Sequence, residues 1–367
     1  MSISKTIKQH LWHFSNKRYS VVMANPQISM CERFDIPKLT KEQEQAVKDH
    51  WDWWPTDPKL AYYDYRVFSF FDKWNIDYIP APVFDPYLLR CLNPVAKSRT
   101  YEDKSMMWNV FSSISQPVSP LRCINGVYFD SSNEPVDGKD SFSLLKEGVD
   151  YIIKPIEETC GGQGVKKFKV GSLQEWVDIQ KSFNGGFVVQ ECLTQSSYTS
   201  ILNPKSLNTF RVTTLNINGK KSVCNICLRC GGVDSIVDNV ARGGSIVGVY
   251  RSGELAEVGY CGTGKILGNA NVQFKGLTIP NMEEIVSFAF KAHDRIPNCG
   301  IVGWDIALDA DNRPILIEAN ISGPGILYEQ ICWGPLFGDR TDEVVQYCKS
   351  VFNRKMDNVG KLMIMDY

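Results

Sequence analysis

One stretch, residues 303–320, constrains the fold more than any other part of the chain; its sequence is GWDIALDADNRPILIEAN. Two apolar runs flank an Asp-Asn dipeptide at 311–312, which suits the positive φ angles of a tight turn, so the stretch predicts a β-hairpin. If the loop has two residues, Asp305 lies directly opposite Glu318 on the neighbouring strand. The predicted buried face of this hairpin carries Trp304, Ile306, Leu308, Ile315 and Ile317.

The opposite face of the hairpin gathers three oxygen-bearing side chains, Asp305, Glu318 and Asn320. Directly opposed residues have Cβ atoms about 4.5–5.5 Å apart, close enough for two carboxylates to bind one divalent cation. Carboxylate and amide oxygens are hard donors, which predicts Mg²⁺ or Mn²⁺ rather than zinc or copper. The alternative interpretation is the polar outer face of an ordinary hairpin.

Composition narrows the class of protein. The chain has 367 residues, 43% hydrophobic and 22% charged, which indicates a globular protein of two or three domains. The formal net charge of −1 gives no overall field that would attract nucleic acid. No apolar run reaches the roughly 20 residues of a membrane span. The sequence has 12 cysteines and no secretion signal, so we expect reduced thiols and a cytoplasmic location. It leaves the oligomeric state open.

Three of these cysteines, Cys224, Cys227 and Cys230, have a spacing that resembles a metal site. They fall in a predicted strand, where alternation places Cys224 and Cys230 on one face and Cys227 on the other. A fourth ligand at matching spacing is also missing. We therefore interpret them as buried small hydrophobic residues.

The domain organisation follows a change of pattern along the chain. Residues 1–100 predict a mainly helical region, and strand-and-turn patterns prevail from about residue 100 up to a tail at 351–367. The division of that part into two lobes, residues 101–190 and 191–350, is what the family resemblance given below implies. Within residues 5–18 basic and apolar side chains alternate in a way that could form an amphipathic helix on an anionic membrane surface. A surface helix of the domain is the alternative that we favour.

A lysine and a glycine-rich turn follow one another in the first predicted lobe. Residues 151–155 predict a buried strand that carries Lys154, and the next turn contains Gly161, Gly162 and Gly164. Glycines let backbone N–H groups approach an anion closely. The spacing fits neither a Walker loop nor a Rossmann fingerprint, so this is a candidate anion-binding loop, with a ligand-free hairpin as the alternative.

A further strand, residues 186–193, ends in polar residues whose backbone could meet the edge of an adenine ring, although a plain strand end is the alternative. Two arginines, Arg211 and Arg229, interrupt apolar strands of a predicted hairpin that turns at Asn218-Gly219. Arginine in such a pattern needs an anionic partner. A two-residue turn would place the two arginines on opposite faces, so both enter one cleft only if a bulge or a longer loop intervenes.

Taken together, these segments resemble the ATP-grasp superfamily, and within it the sugar-transfer-associated ATP-grasp family. The resemblance covers about residues 75 to 345. The segments that carry it, besides the early Asp-Lys pair at 103–104 and the Ile-Lys-Pro strand, are 161–164, 190–193, 208–211, 228–229, 238–239, 243–244, 303–305, 318–320 and 334–339. It implies an α+β grasp architecture, in which two lobes with antiparallel sheets clamp ATP.

The resemblance also implies a role for each candidate residue. By this likeness Lys104 and Lys154 hold the α- and β-phosphates, and the loop Gly161–Gly164 closes over the β- and γ-phosphates. The strand end at Gln190, Glu191 and Leu193 holds adenine. The hairpin residues Asp305, Glu318 and Asn320 carry two Mg²⁺ ions, and Arg211 or Arg229 holds a substrate carboxylate.

The activity implied is that of an ATP-dependent carboxylate–amine ligase, which forms an amide through an acyl phosphate. Its partners would be a small-molecule acid and an amine, in surface-polysaccharide or sugar-conjugate synthesis. Two alternatives stay open at this point. One is a kinase of a small molecule or sugar, and the other is a non-catalytic ATP-binding module of a glycosyl-transfer complex.

Overall fold

The computed structural model describes residues 3–54, 56–156, 164–183, 186–232, 238, 240, 243–269 and 272–357, with side chains from residue 14 to residue 353. The chain begins with a helical region, as predicted. Its helices are α1 Ile3–Arg33, α2 Lys41–His50, α3 Lys59–Phe71, α4 Ala81–Val83, α5 Leu89–Leu92, α6 Val95–Ser98 and α7 Met107–Val110, with a π-helical turn at Phe84–Leu88.

Helix α1 lies along α3 and α4, where the Ser20 hydroxyl donates to the Pro82 carbonyl over 2.9 Å. The start of α2 is fixed by a capping box, in which Thr40 and Gln43 each bond the other's backbone amide. Helix α1 includes the predicted amphipathic segment 5–18, and its residues Asn16 and Ser20 are buried. In the part of the chain that is described, no helix is long and apolar enough to cross a membrane.

The first lobe is a six-stranded antiparallel sheet with strand order β3-β2-β1-β6-β4-β5. Its elements are β1 Leu121–Ile124, β2 Val127–Asp130, β3 Pro135–Val136, β4 Asp150–Pro155, β5 Lys166–Lys169, α8 Leu173–Lys181 and β6 Gly186–Glu191. Trp176 of α8 packs with Tyr151 and Phe187 in the core on one face. Because side chains alternate along a strand, Lys154 and Gln190 lie on the opposite face.

The second lobe is a seven-stranded antiparallel sheet with strand order β11-β10-β9-β8-β7-β14-β15. Its strands and the short pair beside it are β7 Thr209–Ile217, β8 Lys220–Cys230, β9 Ser245–Val249, β10 Leu255–Cys261, β11 Gly264–Ile266, β12 Gly268–Asn269, β13 Val272–Gln273, β14 Ile301–Leu308 and β15 Pro314–Asn320. Its helices are α9 Ser197–Ser200, α10 Met282–His293, α11 Leu327–Trp333 and α12 Thr341–Asp357.

Two hydrophobic cores cover this second sheet. On one face α10 packs on the strands, and Phe111 from the segment after α7 stacks edge-on against Trp304. On the other face α11 and α12 share a core with the N-terminal helices, through Ile331 and Phe68 among others. The predicted limits at residues 100, 190 and 350 stay predictions; α12 crosses the last of them.

The β7–β8 hairpin contains the bulge on which the placement of the two arginines depends. Thr213 pairs with Asn225, but Thr214 pairs with Val223, so Cys224 is an extra residue. Asn218 and Gly219 occupy the turn with positive φ angles of 53° and 80°. The bulge reverses the faces that a regular two-residue hairpin would give, and it brings both arginines to the same face.

The same bulge changes the predicted arrangement of the cysteines. Cys224 and Cys227 both pack on the core that includes the N-terminal helices, whereas Cys230 belongs to the core under α10. The prediction that Cys224 and Cys230 share a face is therefore wrong, because regular alternation is interrupted at Cys224.

The β14–β15 hairpin pairs Asp305 with Glu318 as predicted, although two deviations from the expected geometry cancel to give that register. The loop between the strands has three residues, 310–312, instead of two. A β-bulge then compensates, because the partner of Ile306 is Leu316 and the next pair is Asp305 with Glu318.

The three-residue loop and the β-bulge determine which side chains of β15 are buried. Ile315 and Ile317 are half-buried, whereas Leu316 and Ala319 lie in the core. The expectation that Ile315 and Ile317 are core residues is wrong, because a one-residue change of loop length turns the neighbouring side chains to the opposite face.

Candidate functional site

The centre of the site is a buried network of two arginines and an aspartate. Arg211 on β7 pairs across the strands with Asp305 on β14 and donates through Nε to Oδ1 over 2.7 Å and through Nη2 to Oδ2 over 3.3 Å. Arg229 on β8 donates through Nη1 to both oxygens of Asp305, over 3.1 and 3.2 Å. The condition set by the sequence, that a bulge must bring Arg211 and Arg229 together, is met.

Two further acids extend this network. Asp238 accepts from Arg229 Nη2 over 2.9 Å and from the Thr209 hydroxyl. Glu329 on α11 places Oε1 3.8 Å from Arg211 Nη1. The sequence pattern indicates a role for neither acid. Asp238 belongs to one of the segments that carry the family resemblance. Glu329 belongs to no sequence motif, and only the packing of α11 places it in the site.

Small residues leave the space that the Arg211 side chain fills. A Cβ on Gly303 would lie 2.4 Å from the Pro324 carbonyl oxygen and 3.1 Å from Arg211 Cδ. A Cβ on Gly325 would lie 2.8 Å from both Arg211 Nη1 and Glu329 Oε1. The glycine of the Gly-Trp-Asp segment is therefore required by the close approach of the Pro324 carbonyl, which accepts from Arg211.

The pKa values of Asp305, Asp238 and Glu329 shift in different directions, depending on their partners. Burial raises the pKa of Asp305, but the Arg211 and Arg229 guanidinium groups outweigh it, so the pKa is lowered overall. For Asp238 burial outweighs the attraction of Arg229, and its pKa is raised. Burial likewise raises the pKa of Glu329 against the opposing effect of Arg211.

Two lysines lie beside the metal-candidate hairpin. Lys104 Nζ lies 3.2 Å from Glu318 Oε1. Lys154, from the first lobe, is close enough to both for their charges to act on it: burial lowers the pKa of Lys154 to about 8, with Glu318 opposing the shift and Lys104 reinforcing it. The structure thus brings Lys104, Lys154 and Glu318 together from three separate parts of the chain.

Glu102 explains why Lys104 reaches this hairpin. Its carboxylate accepts from the backbone amides of Ile321 and Ser322, over 2.9 and 3.0 Å, directly after β15 ends. The segment that carries Lys104 is thereby fixed to the end of the strand that carries Glu318. The sequence did not indicate this contact, since the two segments are about two hundred residues apart.

Of the three metal candidates, Glu318 pairs with Asp305 across the strands and Asn320 bonds Asp305, but the Asp305 carboxylate already binds the two arginines. Asn320 Nδ2 donates to Asp305 Oδ2 over 3.2 Å and to the Gly303 carbonyl over 3.1 Å, which leaves its amide oxygen free of these two contacts. Among the described residues, no three His, Cys, Asp or Glu side chains come together to hold an ion. Mg²⁺ is usually bound by one or two carboxylates together with substrate phosphates and water. Glu318 and Asn320 fit such a site when phosphates complete it.

The residues predicted to bind adenine, at the end of β6, differ in whether their polar groups are already hydrogen-bonded. Gln190 is buried, and its Nε2 has no hydrogen-bond partner within the part of the chain described. The Glu191 amide donates to the Val118 carbonyl over 2.9 Å, and the Glu191 carboxylate lies 3.2 Å from Lys146 Nζ. Gln190 therefore carries an unpaired buried donor, whereas the Glu191 amide is engaged. Leu193 follows β6 and is half-buried.

The predicted glycine loop is only partly described. Gly164 has a φ of 76°, and a Cβ there would lie 3.1 Å from Pro155 Cγ. Gly161 and Gly162 lie outside the described residues. The roles of all three glycines stay predictions, as do those of the other site residues.

The sequence also matches the model of a known family. A family model described as sugar-transfer associated ATP-grasp matches residues 87–346. No curated protein sequence matches the chain.

Several solved structures are similar to part of this chain. The D-alanyl-alanine synthetase A of Vibrio cholerae is 12% identical, with 70% of this chain and 66% of that chain covered and a TM-score of 0.40. The D-alanine–D-alanine ligase of Bacillus anthracis is 12% identical, with 72% of this chain and 71% of that chain covered and a TM-score of 0.39. The L-amino acid ligase of Bacillus licheniformis is 14% identical, with 80% of this chain and 59% of that chain covered and a TM-score of 0.34. The chain thus spans about two thirds of the first of these proteins, and similarities this low carry no information about its substrates.

Proposed function

This chain belongs to the sugar-transfer associated ATP-grasp family, and from that premise we propose that it is an ATP-dependent carboxylate–amine ligase. The observation that carries the proposal is the pairing of Asp305 with Glu318 across β14 and β15. On one side of this pair lie the lysines, which suit phosphates, and on the other side lie the arginines, which suit a carboxylate. One face of the molecule therefore carries binding groups for both partners of a phosphoryl transfer.

ATP would bind with its phosphates against Lys104 and Lys154. Lysine is a compact point charge that binds phosphate oxygens, and a phosphoryl transfer depends mainly on such positioning and on neutralising charge. Glu318 holds Lys104 at 3.2 Å and so fixes where that charge stands. We propose that Gln190, Glu191 and Leu193 line the base and that the loop at Gly161, Gly162 and Gly164 covers the terminal phosphates, where closure would exclude water.

Mg²⁺, or Mn²⁺, is the metal that this site would use, with Glu318 and Asn320 as ligands and Asp305 beside them. When bound, such a metal neutralises the charge that develops on the β- and γ-phosphates.

The acid substrate would lie between the lysines and the arginines. Each guanidinium has five N–H groups. Arg211 uses three of them on Asp305 and the Pro324 carbonyl, and Arg229 uses at most three on Asp305 and Asp238, so N–H groups remain for a substrate carboxylate. The carboxylate attacks the γ-phosphorus, ADP leaves, and an acyl phosphate forms. When an amine attacks the acyl carbon, the same guanidinium groups stabilise the oxyanion, a role worth about 3–4 kcal/mol per donor in other acyl-transfer sites.

The nature of the acid is a further part of the proposal. The description of the family associates it with sugar transfer, and on that basis we propose a sugar acid as substrate and a role in surface-polysaccharide or sugar-conjugate synthesis. An amino acid or another small amine would be the second substrate.

A product screen tests this function. Purified protein is incubated with ATP, Mg²⁺, pooled uronic acids and pooled amino acids, and ADP and products are identified by mass spectrometry. The proposal expects ADP release that requires both pools, together with an amide. A stable phosphorylated product without an amine requirement would assign a kinase instead, and the absence of ADP release would assign a non-catalytic module.

A further inference from the structure

Glu329 is an acid of the site that has no role in the function proposed above. Glu329 lies on α11 with its side chain only 7% exposed. Asp305 and Asp238 each accept a guanidinium N–H within about the normal hydrogen-bond range. The Glu329–Arg211 separation of 3.8 Å is beyond that range, so this pair is an ion contact without a hydrogen bond.

The net charge of the buried cluster formed by Arg211, Arg229, Asp238, Asp305 and Glu329 favours a cationic ligand next to Glu329. Among the described residues, and with all five groups ionised, Arg211 and Arg229 contribute two positive charges and Asp238, Asp305 and Glu329 contribute three negative charges, which leaves an excess of one negative charge. A buried carboxylate is costly unless it is paired. Because Asp305 and Asp238 are hydrogen-bonded to the arginines, Glu329 is the acid to which the excess belongs.

The position of Glu329 fits the acceptor side of the site. Its nearest arginine contact is Arg211 Nη1, and the same nitrogen donates to the Pro324 carbonyl over 2.6 Å. The lysines and Glu318 lie on the other side of Asp305. A substrate carboxylate held by Arg211 would therefore have the phosphates on one side and Glu329 on the other, so an amine bound beside Glu329 would lie next to the acyl carbon that it attacks.

We propose, resting on the ligase function above, that Glu329 binds the nitrogen of the acceptor amine and accepts a proton from it. The amine arrives as an ammonium ion, and one proton passes to the Glu329 carboxylate. The freed lone pair forms the C–N bond to the acyl carbon, while the acyl C–O bond breaks and its electron pair leaves with the phosphate. The surplus proton on the new amide nitrogen passes to that phosphate. The raised pKa of Glu329, caused by burial, suits an acceptor for this proton.

The variant Glu329→Gln tests this role, because it keeps the size of the side chain and removes the carboxylate. Wild type and variant are assayed with Mg²⁺, ATP and pooled uronic acids, either with pooled amino acids or with hydroxylamine. Hydroxylamine is largely unprotonated at neutral pH, so it needs no proton acceptor. We expect amide formation to fall by about 100-fold or more, whereas hydroxamate formation stays within about threefold of wild type.

The remaining outcomes separate the inference from the function beneath it. An unchanged ratio of amide to hydroxamate, or a loss of both products in the variant, would overturn the role of Glu329. A wild-type protein that forms neither product would overturn the ligase function itself, and the role of Glu329 with it. Glu329→Asp should retain part of the amide activity, since it keeps the charge.

A matched control comes from a glutamate that also pairs with an arginine but lies outside the site. Glu343 on α12 bonds Arg340 over 2.7 and 3.0 Å, close to the start of β8 and therefore at the opposite end of that strand from Arg229. Glu343→Gln should leave both products at wild-type levels. Equal losses in the two variants would show that removing any ion-paired glutamate disturbs the protein, and the proposal would fall.

Discussion

Arg211 and Asp305 face each other on neighbouring strands of the second sheet, and Arg211 Nε lies 2.7 Å from Asp305 Oδ1. Both side chains are more than nine-tenths buried. Arg229 binds the same carboxylate from the next strand. The aspartate that the sequence marked as a metal ligand is therefore also the anion that holds two guanidinium groups in place.

Breaking this pair should destabilise the fold. Arg211→Met leaves Asp305 with one guanidinium and Glu329 with its nearest cation removed, and we expect the free energy of unfolding to fall by about 3–5 kcal/mol. Urea denaturation followed by circular dichroism measures the change. In a double-mutant cycle with Asp305→Asn, the coupling should reach about 1 kcal/mol or more. Strictly additive effects would contradict a direct interaction.

Removing the Glu318 carboxylate should affect catalysis instead of stability. Glu318→Gln loses the metal-binding oxygen and the partner of Lys104, and its side chain is 35% exposed, so little packing changes. We expect ADP release to fall by about 100-fold or more, with the midpoint of thermal unfolding almost unchanged. Glu343→Gln serves as the control. Full turnover of Glu318→Gln would rule out the metal role that we propose.

The hairpin of β14 and β15 shows which features of the site can be predicted from the sequence and which cannot. Its polar pair, Asp305 and Glu318, could be found from alternation and a turn dipeptide, because these are local properties. The three-residue loop and the bulge at Ile317 could not, since nothing in the local sequence distinguishes them from a regular hairpin. The register was right because the two deviations cancel, whereas the burial of Ile315 was wrong.

The rest of the site depends on contacts between distant segments. The sequence identified Arg211 and Arg229 as unusual strand residues and identified the bulge as the condition for their meeting. It had no means to place Glu329, because a short helix packing over a sheet is determined by tertiary contacts. Glu102 was missed for the same reason, since its partners lie after β15.

The lowered pKa of Lys154, about 8, predicts a pH dependence of ATP binding. Phosphates favour the charged lysine, so below this pKa the free protein already carries the proton that binding requires. Above it, binding must take up a proton, and the affinity should fall by up to about tenfold per pH unit. Titration calorimetry from about pH 7 to 10 measures this loss. In Lys154→Arg the charge persists at all these pH values, so a fall that survives in this variant would assign the effect to another group.

Two neighbouring glycines give a final test of the packing around Arg211. A Cβ on Gly303 would lie 2.4 Å from the Pro324 carbonyl oxygen and 3.1 Å from Arg211 Cδ, whereas a Cβ on Gly323 would meet no atom within 4 Å. Gly303→Ala should therefore cost about 1–3 kcal/mol of stability and displace the arginine, so that ADP release also falls. Gly323→Ala should leave stability and ADP release within error of wild type. Urea denaturation and an ADP assay on both variants test this expectation. A tolerated Gly303→Ala would show that the Pro324 carbonyl and Arg211 do not lie as close to Gly303 as the structure places them.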